Sequence, residues 1–252
     1  MIESFKKVVI CLLFLISIAI AGETFYTPQL PMPEHLYSKF KTYRQVEVHL
    51  KAHQKASDYF DSAMYYFFEV ININEGKGLR KGKQKRYVDR AIKYFEKASE
   101  LATGNLVYKA MKGTIYSIKT SFTSFPGLLE WSKKGMNTIN KAVESDKYNP
   151  EIRFIRLRSF IHFPYQYYPT LKDTIIEDSK LILNWVESYN KLSKKKKLKE
   201  FDEFFKDVKN EIYFLLGNYY FSQVNDKKLA ENYFQKIDKK NRYYKKYQEV
   251  VE

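Results

Sequence analysis

The chain has 252 residues and a formal net charge of +15 at pH 7, with 44 lysine and arginine residues against 29 aspartate and glutamate residues. Its single cysteine excludes a disulfide framework and any metal site built from several cysteines. The nine glycines and seven prolines are too few for the turns that a β-rich domain needs. The excess of basic residues favours attraction to anionic surfaces but carries no information about the fold.

The first residues have the pattern of an export signal. Lys6 and Lys7 precede an apolar run from Val8 to Ala21, and Ala19-Ile20-Ala21 before Gly22 has the small-x-small spacing at which signal peptidases cleave. The run has about 14 residues, whereas about 20 are needed to cross a bilayer. We therefore predict a signal peptide over residues 1–21 and a periplasmic or extracellular location. The alternative is an uncleaved membrane anchor.

An all-α domain is predicted over residues 34–252, after an extended, proline-rich leader at 22–33. Apolar residues recur at steps of four and three positions, as at Ala56, Phe60 and Ala63, which is the spacing of one helix face. In chain order, the predicted helices lie at about 34–52, 54–73, 87–102, 105–121, 127–146, 150–163, 171–190, 197–223, 226–238 and 240–250.

Small residues recur in these helices at fixed distances from aromatic ones. AIKYFEKASEL contains Ala91, Phe95 and Ala98, and this spacing resembles the second helix of a tetratricopeptide repeat. Segments that resemble the first helix of such a repeat have a small residue three positions before a tyrosine. The second-helix spacing recurs at Ala230, Phe234 and Ile237, and at Gly135, Ile139 and Ala142. The first-helix spacing occurs at Ala63 and Tyr66, at Gly113 and Tyr116, and at Gly217 and Tyr220.

This resemblance implies a right-handed α-α superhelix of antiparallel helix pairs, with a concave face that holds a polypeptide partner. The pairs would cover about 55–102, 105–146, 150–190 and 197–238, followed by a C-terminal helix at 240–250. The spacing departs from a regular repeat, because 28 positions separate Ala63 from Ala91 and 22 separate Gly113 from Gly135. Enlarged inner loops are therefore expected, and segment 150–190 matches poorly, with only Ser159 in place of a small residue.

The stretch HFPYQYYP, residues 162–169, crowds aromatic residues between Pro164 and Pro169. Each proline disfavours helix at the residue before it, so the stretch is predicted to be an extended crossover between two helices. Its aromatic residues then cover that junction, or they form the edge of a binding groove.

Two clusters of polar residues are candidate sites. His49 and His53 are four positions apart and share a helix face, but no third metal ligand is evident, so they are interpreted as helix surface. The segment GKGLRKGKQKR, residues 76–86, lacks the order of a phosphate-binding loop and is predicted to be a mobile basic loop. Its cations are Lys77, Arg80, Lys81, Lys83, Lys85 and Arg86.

Three functions follow as hypotheses. The first is an exported, non-enzymatic interaction or scaffold protein whose groove includes Tyr65, Lys112 and Asn218 as exposed positions of first helices. The second is a basic module that binds an anionic membrane or wall polymer through loop 76–86. The third is a wall-glycan hydrolase that uses a pair of carboxylates, such as Glu144 with Asp146, Glu177 with Asp178, or Asp202 with Glu203. No cofactor, metal ion or nucleic acid is expected.

Overall fold

A computed structural model describes residues 40–71, 81–191 and 199–251. These residues form ten α-helices and no strand, which confirms the all-α prediction. The predicted signal peptide and leader lie outside the described residues. In chain order the helices are α1 Tyr43–Ala52, α2 Ala56–Ile71, α3 Lys81–Leu101, α4 Leu106–Lys119, α5 Gly127–Ser145, α6 Pro150–Phe160, α7 Leu171–Asn190, α8 Lys199–Asn218, α9 Lys227–Phe234 and α10 Arg242–Val251.

The helices begin where local sequence signals place them. Asn105 precedes α4 and its side-chain oxygen accepts a hydrogen bond from the backbone N–H of Tyr108 at 3.1 Å. Asn149 caps α6 in the same way, and Pro150 occupies the first helical position, where its missing N–H costs nothing. None of the helices formed by the described residues combines the length and the apolar composition that a membrane span requires.

Helices that are adjacent in sequence pack together: α2 with α3, α4 with α5, α6 with α7, and α8 with α9. Two clusters of buried side chains form the core, one centred on α2, α3 and α4, and the other on α6, α7, α8 and α9. Helix α6 contributes to both clusters, and every residue from 152 to 160 is buried. It is therefore a central helix with no solvent face.

The small residues noted in the sequence lie at helix crossings. A Cβ added to Gly135 of α5 would lie 2.9 Å from the backbone oxygen of Gly113 in α4 and 2.8 Å from the backbone nitrogen of Ser117. A Cβ on Gly217 of α8 would overlap the ring of Phe234 in α9, whose Cδ1 atom is 2.5 Å away. These separations are shorter than ordinary carbon contacts, so the helices approach as closely as they do only because a side chain is missing.

An ionic cluster joins α6 to α7. Asp178 of α7 has no exposed surface and accepts hydrogen bonds from Arg153 at 2.7 Å and from Arg156 at 2.7 and 2.8 Å. Arg153 also contacts Glu177 at 3.0 Å, but that glutamate side chain is 65% exposed. The buried carboxylate therefore sets how α7 docks on α6, and Glu177 adds an outer contact.

A second ionic cluster joins α6 to α8 and α10. Glu211 of α8 is buried and accepts hydrogen bonds from Nε of Arg158 at 2.5 Å and from the Tyr243 hydroxyl at 2.7 Å. Burial raises the pKa of Glu211, and Arg158 and the Tyr243 hydroxyl oppose that effect. Through Tyr243, the C-terminal helix α10 is tied to the centre of the molecule.

The stretch HFPYQYYP folds into turns and not into the extended crossover that the sequence predicts. The carbonyl of Pro164 accepts hydrogen bonds from the backbone N–H groups of Tyr167 and Tyr168 at 3.0 and 3.1 Å, which bends the chain between the two prolines. Phe163 is buried and contacts the ring of Tyr168 at 5.2 Å between centroids, and the Tyr168 hydroxyl lies 2.8 Å from the Ser132 hydroxyl of α5. These side chains cover the junction between α6 and α7.

Candidate functional site

The three residues predicted to contact a partner lie on α2, α4 and α8. Tyr65 is only 6% exposed and packs edge-on against Tyr66 at 5.1 Å, so the expectation that it is an exposed groove residue is wrong. Its neighbours on α2 are buried on nearly every side, because this helix packs between α1 and α3. Lys112 and Asn218 are partly exposed.

Lys112 lies beside a compact group of charged and aromatic side chains on α3, α4 and α5. Glu96 accepts a hydrogen bond from the Tyr116 hydroxyl at 2.5 Å, and the Lys134 ammonium lies 3.8 Å from the same carboxylate oxygen. That ammonium also lies 4.1 Å from the Tyr116 ring centroid and 4.7 Å from the Trp131 ring. Burial lowers the pKa of Lys112, with Glu96 opposing the effect. The hydrogen bond and the ion pair of Glu96 are therefore both made within this group, to Tyr116 and Lys134. These contacts support the packing of α3, α4 and α5.

The basic segment is only partly described. Lys77 and Arg80 lie outside the described residues, whereas Lys81 begins α3, so the prediction of a loop is wrong for residues 81–86. Lys83, Lys85 and Arg86 are exposed on the first turns of α3, whose first turn has no acidic residue. Since the start of a helix carries partial positive charge, these cations add to it, and their surface attracts anions.

His49 links α1 to α2, and His53 stacks on it. The rings of His49 and His53 stack at 4.6 Å, and Nε2 of His49 lies 2.8 Å from a carboxylate oxygen of Asp58. The other Asp58 oxygen accepts a hydrogen bond from the backbone N–H of Lys55 at 3.0 Å, at the start of α2. Among the described residues, no group of three or more histidine, cysteine, aspartate or glutamate side chains is placed to hold a metal ion.

Of the three carboxylate pairs proposed for a hydrolase, the structure describes the side chains of two. Asp178 is fully buried against two arginines, whereas Glu177 faces solvent. Glu144 is exposed and Asp146 partly exposed, at the end of α5. Asp202 and Glu203 lie in α8, and their side chains are outside the described part of the structure.

A row of tyrosine and lysine side chains lies where the α6–α7 turn meets α8 and α9. We call it the tyrosine–lysine strip, and it consists of Tyr165, Lys172, Tyr220, Tyr233, Lys236 and Tyr213. All six except Tyr220 are at least partly exposed. A π-helix, Tyr219–Val224, extends α8 at this point, and it contains one of the strip residues. Single π-helical turns occur often at functional sites.

Ring stacking and ammonium contacts connect the strip. The Lys172 ammonium lies 5.9 Å from the Tyr165 ring centroid and 5.6 Å from that of Tyr220, and the Tyr220 ring stacks on Tyr233 at 5.6 Å with an interplanar angle of 12°. The Lys236 ammonium continues the row, at 5.1 Å from Tyr233 and 5.7 Å from the Tyr213 ring. Burial raises the pKa of Tyr213, Tyr220 and Tyr233, so their hydroxyls stay protonated.

Two features of the sequence indicate part of this strip. Tyr165 belongs to the aromatic stretch between two prolines, and Tyr213 and Tyr220 are seven positions apart, which places them on one helix face. Their meeting with Tyr233 and with the two lysines depends on how α7, α8 and α9 pack. Comparison of the chain with protein-family models, with curated proteins and with solved structures gives no match.

Proposed function

We propose that this chain is an exported, non-enzymatic interaction protein that binds a partner polypeptide on a tetratricopeptide-like array of helix pairs. The observation that carries the proposal is the close approach of α4 and α5 at Gly113 and Gly135. Helix pairs that meet at small residues and stack in series expose long surfaces to a partner chain.

The contacts between successive pairs support the same proposal. Helices α4 and α6, the first members of two neighbouring pairs, contact each other, and the Thr114 hydroxyl lies 2.8 Å from the Ser159 hydroxyl at this junction. Arg158 extends the series by linking α6 to α8 through Glu211. The first helices of three pairs are therefore joined one after another.

The test is co-purification of partners from envelope and secreted fractions of the source cells, with the full chain carrying a C-terminal tag. We expect a polypeptide partner to be cross-linked to the wild-type chain and to be lost when Lys112 and Asn218 are both changed to alanine. A double variant of Lys133 and Lys141, two exposed lysines of α5, serves as the control. If wild type and the Lys112–Asn218 variant capture the same proteins, those two residues are not in the binding surface. If the wild type captures none, the proposed function fails.

A second candidate function, binding to an anionic membrane or wall polymer, is favoured by the exposed cations at the start of α3. Lys83, Lys85 and Arg86 would each contribute about 1 kcal/mol at an anionic surface if they reach it together. Three such contacts correspond to an increase in affinity of roughly 100-fold. Lys77, Arg80 and Lys81 are further cations of the same segment.

This second function is tested by flotation with vesicles that contain phosphatidylserine, at low and high salt. The triple variant Lys83→Gln, Lys85→Gln and Arg86→Gln should lose binding. Three exposed lysines elsewhere, Lys133, Lys141 and Lys180, give a control variant of equal charge. Equal binding by the two variants would count against a role for α3.

A further inference from the structure

We infer that the tyrosine–lysine strip is a docking surface for an acidic polypeptide segment. This inference rests on the proposed function and adds the place and the chemistry of the partner. The partner would lie across the strip with apolar atoms against the tyrosine rings and carboxylates beside the ammonium groups.

The rings make the strip suitable for binding a chain. Tyr165, Tyr213 and Tyr233 are half-buried, so each ring is held in place by the fold and still presents surface to solvent. Tyr165 contacts Tyr219 edge-on at 6.4 Å, and Tyr233 is held by its stack on Tyr220. Rigid tyrosines of this kind lose little entropy on binding and are enriched where binding energy concentrates.

The two lysines of the strip indicate that the partner is negatively charged. Lys172 and Lys236 lie over tyrosine rings, and within the described residues neither of them forms an ion pair with a carboxylate. By contrast, the buried Arg153, Arg156 and Arg158 are all paired. The two strip ammonium groups therefore still have hydrogen-bond donors and charge to offer to an incoming carboxylate.

Both carboxylates and a further ammonium group surround the strip. Among the carboxylates, Glu187 acts electrostatically on Tyr213 and Asp226 on Tyr220, whereas Asp173 acts on Tyr219 beside the strip. Asp226 is already occupied, because it accepts the hydrogen bond from the backbone N–H of Leu229 that caps α9. Lys209 adds a third ammonium, 6.0 Å from the Tyr213 ring. Together with the net charge of +15 on the chain, these positions favour a negatively charged partner.

The direct test is fluorescence anisotropy of the full chain with a labelled synthetic peptide of alternating glutamate and leucine. A second peptide with glutamine in place of glutamate has the same apolar residues without the charge. We expect the wild type to prefer the acidic peptide and to lose about tenfold in affinity in the variant Lys172→Gln with Lys236→Gln. Added salt should weaken the wild-type complex more than the variant complex.

Two further variants separate the contribution of the rings from that of the charges. Tyr213→Leu with Tyr233→Leu removes two aromatic faces and should weaken both peptides, whereas Lys133→Gln with Lys141→Gln should change neither affinity. Thermal melting by circular dichroism checks that every variant is folded.

The inference is overturned if the acidic peptide does not bind, if both peptides bind equally, or if the double lysine variant binds like the control. Preference for a sulfated polysaccharide over the acidic peptide would also overturn it, in favour of an anionic glycan. The proposed function can survive these outcomes, because it requires only that the wild-type chain capture a polypeptide from cell fractions. A strip variant that still captures this polypeptide would show that the partner binds elsewhere on the molecule.

Discussion

The close approach of α4 and α5 leads to a prediction about one methyl group. Replacing Gly135 with alanine places a Cβ 2.9 Å from the Gly113 carbonyl oxygen and 2.8 Å from the Ser117 backbone nitrogen. Both atoms belong to the backbone of α4, so the clash cannot be relieved by rotation of a side chain. The two helices must move apart, and this separates the packed residues on both sides of the crossing, among them Ile139 and Ala142.

The size of the effect follows from two opposing contributions. An extra methyl in a well-packed core typically costs about 1–3 kcal/mol. Alanine also gains about 1 kcal/mol over glycine in a helix interior. Because the contacts at Gly135 involve two rigid backbone atoms of α4, we expect the cost to exceed the gain. The predicted net loss is about 1–2 kcal/mol, which lowers the melting temperature by roughly 2–8 °C for a chain of this size.

Gly82 provides the matched control, because it lies in helix α3 and a Cβ at that position has nothing within 4 Å. Urea unfolding followed by circular dichroism should show that Gly82→Ala is neutral or slightly more stable than wild type, whereas Gly135→Ala unfolds at lower urea concentration. If Gly135→Ala is as stable as wild type, then α4 and α5 are not in backbone contact. The observation on which the proposed function depends would then be lost.

Three other perturbations test the buried polar groups. Asp178→Asn should lower the free energy of unfolding by about 3–5 kcal/mol, because it leaves the buried Arg156 without its anion and Arg153 with only the exposed Glu177. Glu177→Gln should cost at most about 1 kcal/mol, and equal losses in urea unfolding would contradict the assignment. Tyr243→Phe should lower the free energy of unfolding by about 1.5–3 kcal/mol, because it removes a hydroxyl donor from the buried carboxylate of Glu211. An unchanged urea midpoint would argue against this hydrogen bond. Burial, together with a neighbouring guanidinium, lowers the pKa of His162 from 6.5 to about 3. Its neutral form is therefore favoured by folding, and stability is expected to fall as the pH drops through 6.5 toward 3. Between about pH 7.5 and pH 5 this amounts to at most about 2 kcal/mol, which His162→Gln should abolish; the same pH dependence in the variant would refute it.

The helices and their buried small residues could be predicted because helical periodicity is a local property. Ala91, Phe95, Ala98 and Ala230 are each 0% exposed, and Phe234 is 1% exposed, as their spacing indicated. The start of α3 was misplaced because six cations and three glycines over residues 76–86 suggested a loop. Lysine, glutamine and arginine are good helix formers, and a single glycine costs only about 1 kcal/mol, so the helix extends back to residue 81.

Contacts between distant parts of the chain could not be predicted in the same way. Tyr65 follows the same helical period as its neighbours, but α2 is covered on both sides, which leaves no face for an exposed tyrosine. The strip joins Tyr165 to residues of α7, α8 and α9, and its geometry depends on helix packing and on the π-helix at Tyr219–Val224. Neither the packing nor the π-helix leaves a periodic signal in the sequence.

The pairing of α6 with α7 explains why segment 150–190 departs from the spacing of small and aromatic residues in its neighbours. On the side of α6 that faces α4, Ser159 is a small residue, and its hydroxyl lies 2.8 Å from that of Thr114. Toward α7, long arginine side chains reach Asp178, so this interface is held by a buried carboxylate and needs no backbone contact. The charged α6–α7 interface is expected to tolerate an added methyl group but not the loss of its anion. The α4–α5 interface is expected to be destabilised by an added methyl group. Asp178→Asn and Gly135→Ala therefore test two different ways of joining helices in one molecule.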